Sequence, residues 1–313
     1  MIEVARVSRR YGRFEAVRDV SFHAKRGEVL GLLGQNGAGK TTIMNVLAGF
    51  LTPTSGSVRI LEHDIEKNPD AAKAHLGYLP ETPPLYPEMT VREYLLFCSN
   101  IKGVAGSDRA RHVHEIIALC GLKEVENRVI ANLSRGFKQR AGMAQALCGD
   151  PEVLLLDEPT TGFDPLQAVA FRKLIRKVSK EKAIVFSSHL LSEVQAICDR
   201  VVIIHHGKIM MDHSLIAESN QAPQFRVVID APAARVLAPL RELKSVRRVS
   251  VEPNLSAGTT KALLETEPGS AFQLELFTLL TGLRAPIIEL TPRLDSLEEL
   301  FLRVTGTTGE KPV

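Results

Sequence analysis

The sequence lacks an excess of either charge. Over 313 residues, 39 Lys and Arg stand against 36 Asp and Glu, a formal net charge of +3. That near balance gives no electrostatic basis for a polybasic membrane anchor or for wrapping nucleic acid. Cysteine is scarce: Cys98, Cys120, Cys148 and Cys198 are widely spaced, with no CxxC pair. This argues against a disulfide framework or a zinc site and suits a reducing compartment. The N-terminal stretch MIEVARVSRRYG has no apolar h-region, so no signal peptide is expected. No apolar run approaches the roughly 20 residues needed to span a bilayer, and the chain is expected not to be integral to a membrane. What is present is an ordinary 44% of hydrophobic residues, enough for a real core. At roughly 150 residues per domain the length suggests two domains.

A further absence is local. All nine histidines, four tyrosines and four cysteines lie at or before His213. Residues 1–213 hold 28 Lys and Arg against 24 Asp and Glu, and residues 214–313 hold 11 against 12. The loss of His, Cys and Tyr is the clearer mark of a boundary, and the polar stretch from Glu218 to Gln224 is the natural linker. The expected domains are 1–217 and 218–313. Any catalysis is expected in the first, because the second lacks the side chains that most often move protons or ligate metals near neutral pH.

The first part alternates strands with helices, the pattern of an α/β core with a parallel sheet. A short apolar strand, Glu28 to Leu33, ends at Gly34, and Gly34-Gln35-Asn36-Gly37-Ala38-Gly39-Lys40-Thr41-Thr42 follows. Ile43, Met44, Val46 and Leu47 then fall at helical spacing, with Gly49 placed to stop the helix. Strand, G-x-x-x-x-G-K-[ST] loop and helix together form a phosphate cradle. Glycines let the backbone N–H groups turn inward, and the helix N-terminus adds partial positive charge. Lys40 reaches the β- and γ-phosphates, and the Thr41 hydroxyl can ligate Mg²⁺.

A second apolar strand, Val153 to Leu156, ends in Asp157-Glu158-Pro159. Carboxylates at a parallel strand end face the ligand side of the sheet. Asp157 can hold the Mg²⁺ hydration shell, and Glu158 can act as general base toward water. Asp164 and Pro165 are a good N-cap and first helical residue, with Ala170, Leu174 and Val178 expected on the buried face. A third strand, Ala183 to Phe186, ends at Ser187-Ser188-His189. There His189 can bond the γ-phosphate or orient the water. His205-His206, beside Gly207, is expected to be a hairpin turn and not a metal site.

This order of motifs, over about residues 2 to 213, resembles the ATP-binding subunit of ABC transporters. The resemblance implies a P-loop NTPase fold of the ABC type, with a helical subdomain over about residues 83–150. GQNGAGKTT is similar to the family's Walker A, VLLLDEP to Walker B with the catalytic glutamate, GFDP to the D-loop, and His189 to the switch histidine. Tyr11 falls where the family stacks an aromatic ring on adenine. The resemblance places Gly34, Asn36, Gly37, Gly39, Lys40, Thr41 and Thr42 on the nucleotide. It gives Thr41, Asp157 and Glu81 to Mg²⁺, and Glu158 and His189 to catalysis.

Two elements depart from the commonest pattern. The signature, usually LSGGQ, reads Leu133-Ser134-Arg135-Gly136-Phe137-Lys138-Gln139. Ser134 and Gly136 are retained, and by resemblance they contact the γ-phosphate held by the opposite subunit of a homodimer. Arg135 either strengthens that contact or is a solvated side chain. Glu81, in GYLPET, stands where glutamine is usual, as in many single-domain exporters of the type-two class.

The resemblance further implies a separate membrane-spanning permease as partner, with no role for nucleic acid. It puts the chain in the cytoplasm, held on the inner face of the membrane through that permease, and powering export. The loop near Pro84 to Tyr86 would face the permease. Two alternatives are a soluble ABC ATPase of translation or DNA metabolism, and a P-loop kinase or GTPase switch. The first normally carries two fused cassettes or a long coiled-coil insertion, and here there is one motif set and no heptad run. The second leaves the signature, the D-loop and His189 unexplained, and no NKxD motif is evident.

The tail reads βαββαβ, the order of a ferredoxin-like α+β domain. Strands are expected at Phe225–Asp230, Val246–Glu252, Lys261–Glu267 and Pro286–Leu290, and helices at Pro232–Leu243 and Ala271–Leu283. Phe272, Leu276 and Leu280 are expected to face its core. A last helix is expected with Asp295 as cap, Glu298 three residues later, and Leu297, Leu300, Phe301 and Val304 on one face.

Overall fold

In the structure, a computed structural model, residues 1–218, 223–252, 258–267, 271–293, 297 and 301 are described. They belong to two compact units divided at Ile216 and Ala217.

The first unit begins with the hairpin β1 (Ile2–Tyr11) and β2 (Phe14–Ala24), then β3 (Val29–Leu33) and α1 (Lys40–Leu47). There follow β4 (Ser55–Ile60), β5 (His63–Asp64), α2 (Pro69–Ala74) and β6 (Leu76–Leu79). The helices α3 (Val91–Ile101), α4 (Gly106–Leu119) and α5 (Arg135–Leu147) come next, ahead of β7 (Val153–Asp157). The unit continues with α6 (Pro165–Val178), β8 (Ala183–Ser188), α7 (Leu191–Ile197), β9 (Arg200–His205) and β10 (Lys208–Ser214). A short α8 (Leu215–Glu218) follows.

Two sheets form its centre. One has the order β10-β9-β3-β8-β7-β6. Its strands β9, β3, β8, β7 and β6 run parallel, and β10 is antiparallel at the edge. Every residue of β3, β7 and β8 is buried. That explains why these strands read as continuous apolar runs with no alternation, since both faces of the parallel sheet are covered. The other sheet, β2-β1-β4-β5, is antiparallel. Its inward side chains, Val4, Val17, Val20 and Val58 among them, share a core with Leu30, Leu32, Ile43, Met44 and Leu155.

The pairing of β3 with β8 sets Leu33 beside Ser188, and that of β7 with β8 sets Asp157 beside Ser187. Three strand ends distant in sequence are thus side by side, each followed by a candidate functional loop. Helices α3 to α5 lie between β6 and β7. Val91, Tyr94 and Leu95 of α3 and Val113, Ile116 and Ile117 of α4 are buried, and Cys98 is half-buried.

One expected face is corrected. Ala170 is exposed, and the buried stripe of α6 is Phe171, Leu174, Ile175 and Val178. A strict four-residue step from 170 drifts around a helix of 3.6 residues per turn, whereas i, i+3, i+4, i+7 stays on one side. Phe171 also meets Phe163 edge to face, with ring centroids 5.3 Å apart. Asp164 caps this helix, its carboxylate accepting from Gln167 N at 2.8 Å, with Pro165 first in the helix. His206 and Gly207 make the turn between β9 and β10, whereas His205, also expected in the turn, is the last residue of β9.

The second unit holds β11 (Gln224–Ile229), α9 (Ala233–Arg241), β12 (Val246–Val251), β13 (Thr260–Thr266), α10 (Phe272–Gly282) and β14 (Ile287–Arg293). The expected βαββαβ order is present, in one antiparallel sheet ordered β12-β13-β11-β14. Strand β14 lies at the sheet edge and runs on past Pro292, as edge strands tolerate. Phe272, Leu276 and Leu280 pack on Val227, Val236, Leu240 and Leu264. Leu297 and Phe301 are buried; Asp295, Glu298, Leu300, Val304 and most of the expected linker lie outside the described residues. Among the described residues no helix is long and apolar enough to cross a membrane.

Candidate active site

The loop after β3 turns through Gly37 and Gly39 at φ 82° and 107°. A Cβ at Gly39 would stand 2.7 Å from the Ala16 carbonyl oxygen, so both conformation and space demand glycine there. This curl leads directly into α1, whose first residue is Lys40. Lys40 is nearly buried, at 5% exposure. Its Nζ donates to Gly34 O at 2.8 Å and lies 3.4 Å from the Glu158 carboxylate. The loop thereby folds its own cation back over the concavity that its N–H groups define.

At the end of β7, the Ser187 hydroxyl donates to Asp157 Oδ1 at 2.5 Å and accepts the Glu158 N–H at 3.0 Å. Burial pushes the Asp157 carboxyl above the ordinary range. The hydrogen bond from Ser187 opposes the shift, neighbouring Glu158 adds to it, the Thr41 hydroxyl opposes it and Glu81 adds to it. Such a cluster of hard oxygen donors, with Asp157 buried and Thr41 and Glu81 exposed to the cleft, fits Mg²⁺. Among the described residues no three His, Cys, Asp or Glu side chains are arranged to hold a metal alone. Mg²⁺ keeps waters and takes phosphate oxygens with only one or two carboxylates.

Glu158 has φ 47°, in the left-handed region. A non-glycine residue enters it at a cost of about 1–3 kcal/mol, which the surroundings must offset. The turn directs its carboxylate to His189, whose Nδ1 is 2.8 Å from Oε2. With Glu158 ionised, His189 donates from Nδ1 and keeps Nε2 for a ligand.

These groups open on one cleft of about 410 Å³. Tyr11, Asn36, Gly37, Gly39, Lys40, Thr41 and Thr42 line it, together with Glu81, Glu158 and His189. Gly34 and Asp157 sit just behind, bonded to Lys40 and Thr41. The structure does not bring Ser134 or Gly136 to this cleft. Ser134 caps α5, its Oγ accepting from Phe137 N at 3.4 Å, and Gly136 is buried against Gln167. Arg135 packs on the loop before α6, where a Cβ on Gly162 would meet its Cζ at 2.6 Å.

Sequence reasoning missed Phe14, Ala16 and Thr161, which also line the cleft. Phe14 pairs with Tyr11 across the β1–β2 hairpin and is 64% exposed. An exposed aromatic two residues beyond Gly12 was the available signal. The Arg9 guanidinium lies 4.9 Å from the centroid of the Tyr11 ring, and its Nη1 donates to Thr52 O at 2.6 Å.

The comparisons with known proteins agree with this geometry. Residues 17–161 match the family model described as ABC transporter. The bacitracin transport ATP-binding protein BcrA of Bacillus licheniformis is 37% identical over 212 residues, covering 67% of this chain and 68% of the relative. The uncharacterized ABC transporter ATP-binding protein YhcH of Bacillus subtilis (strain 168) is 32% identical over 317 residues, 99% of this chain and 98% of the relative. A solved structure of an ATP-binding subunit of an ABC transporter superposes with a TM-score of 0.65 at 29% identity, over 70% of this chain and 92% of that one. The alternative of an ATPase of translation finds no support in these likenesses. The chain belongs to the ABC transporter family, as its ATP-binding and ATP-hydrolysing subunit.

Proposed function

We propose that two copies of this chain close head to tail on two ATP molecules with Mg²⁺, and that closure and reopening drive export through a separate membrane-spanning subunit on the inner face of the membrane. The observation that carries this is the split of the candidate residues. Lys40, Glu158 and His189 line one cleft, while Ser134, at the head of α5, lies outside it. A helix N-terminus capped by serine suits a phosphate, and a second copy can supply it.

Tyr11 stacks on the base, the glycine loop and Lys40 hold the phosphates, and the Ser134 hydroxyl and Gly136 of the other copy close over them. Thr41, Asp157 and Glu81 would hold Mg²⁺, which when bound would supply charge neutralisation at the phosphates. Glu158 takes a proton from the water as its oxygen bonds to the γ-phosphorus. The bond from that phosphorus to the β–γ bridging oxygen breaks, and ADP and phosphate leave. His189, bonded to Glu158, orients that carboxylate and the γ-phosphate. A general base of this kind supplies about 10²- to 10⁴-fold in rate, roughly 3–5 kcal/mol.

A second cleft, about 420 Å³, supports the partner. Phe50, Tyr78 and Pro84 line it, and Phe50 is 67% exposed. An apolar groove of this size fits a short helix offered by a membrane subunit. BcrA is named for bacitracin transport; for this chain, export is carried over from that likeness.

The test is Glu158→Gln. The variant is expected to bind ATP, hydrolyse it about 10²- to 10⁴-fold more slowly, and run as a stable dimer with MgATP on size exclusion. Turnover at the native rate would remove Glu158 as the base.

A further inference from the structure

The loops that leave β7 and β8 are tied together by a side chain that neither the motifs nor the likenesses single out. Glu193, in the first turn of α7, spends both carboxylate oxygens on them. The Thr160 hydroxyl, two residues after Glu158, donates to Oε1 at 2.5 Å. The Ser188 hydroxyl, directly before His189, donates to Oε2 at 2.8 Å. Ser188 Oγ also accepts the Leu190 N–H at 3.1 Å, so that hydroxyl is fixed on its donor and acceptor sides together. Thr160 is 5% exposed, and Val194 and Ile197 anchor α7 in the core at 0%.

We propose that Glu193 is a positioning residue for ATP hydrolysis, holding the Glu158–Thr160 turn and His189 in fixed mutual geometry. The two consecutive serines of β8 divide this work. Ser187 fixes Asp157 and the Glu158 backbone, and Ser188 is held by the carboxylate that also holds Thr160. Hydroxyl-to-carboxylate bonds are short and strong when partly buried. Without them only the direct His189–Glu158 bond and the pairing of β7 with β8 tie His189 to the turn from which Glu158 projects, and a misplacement of about 1 Å at a reacting centre can cost 10²-fold in rate. The inference rests on Glu158 and His189 acting on ATP.

The test uses the full chain, measuring steady-state hydrolysis of MgATP, equilibrium nucleotide binding and Tm. Glu193→Ala is expected to lower kcat about 10- to 100-fold, with KM and nucleotide affinity within about twofold. Glu193→Gln should recover most of the rate, since its amide can accept from one hydroxyl and donate to the other. Thr160→Val, which removes a hydroxyl at nearly constant volume, should show a comparable fall. The double variant Thr160→Val/Glu193→Ala should lose little more than either alone, as partners in one contact do. A kcat for Glu193→Ala within about twofold of native overturns the proposal. So does multiplication of the two single losses, or a fall in kcat that tracks lost affinity and Tm and is not rescued by glutamine. Glu158→Gln runs alongside. If it is slow while Glu193→Ala is native, only this inference fails; if it is native, the reading of the site fails and takes this proposal with it.

Discussion

Asp157 shows at the scale of one residue how the site sets stability against function. Its carboxyl is 1% exposed and is pushed above the ordinary range, first by burial and also by Glu158 and Glu81. A carboxyl whose folded pKa exceeds its unfolded value costs stability when ionised. The cost sets in as pH rises from the ordinary carboxylate range through the raised value, and is relieved on acidification. Asp157→Asn is therefore expected to raise the Tm of the protein without nucleotide, to flatten that pH dependence, and to weaken Mg²⁺-dependent ATP binding. Thermal melts between acidic and neutral pH, with and without MgATP, check this; a lower Tm for the variant would mean that the carboxylate's bonds to Ser187 and Thr41 outweigh its burial. Arg135, at the same scale, is exposed, lies outside the cleft and rests its guanidinium against Gly162 of its own chain.

Individual elements owe their ends to local chemistry. Helix α3 starts in a capping box: Thr90 Oγ accepts the Glu93 N–H at 3.2 Å, and Glu93 Oε2 accepts the Thr90 N–H at 2.8 Å. The Thr90 backbone and hydroxyl hold the Glu93 carboxyl below its ordinary value, so this support is present at neutral pH and is lost as pH falls through the lowered value. Thr90→Ala is expected to cost about 1 kcal/mol, a fall in Tm of about 2–4 °C for a unit of this size, with ATP hydrolysis by the isolated chain unchanged. Calorimetry and a parallel ATPase assay separate the two effects. An unchanged Tm would show that α3 is held by tertiary packing alone. Helix α5 begins with a cap of a different use. The Ser134 hydroxyl accepts within its own chain, which leaves its proton to donate to a phosphate oxygen.

The whole molecule divides where its composition does. Every residue assigned to nucleotide chemistry lies in the unit ending at Ile216, and the loss of His, Cys and Tyr after His213 marks the change. The second unit has its own core, built on Val227, Leu240, Leu264 and Leu276. We propose for it a role in dimer assembly or regulation. Removing residues 218–313 is expected to leave ATP affinity unchanged while altering either the MgATP-dependent dimer or the hydrolysis rate. Size exclusion and ATPase assays read these, and no change in either would remove the role.

The glycine loop and the cap at Asp164 were legible in the linear chain, because each depends on residues within one or two turns of one another. The same holds for the βαββαβ order of the tail. Where the sheet places its strands had no such local signal. Parallel strands are joined by long crossovers, so nothing near Leu33 announces that Ser188 will stand beside it, or near Asp157 that Ser187 will. Only the packed sheet brings Lys40, Glu158 and His189 to one cleft and turns Glu193 onto Thr160 and Ser188. The short-range spacing of side chains decided which chemistry this protein carries; the long-range burial of β3, β7 and β8 decided where that chemistry converges.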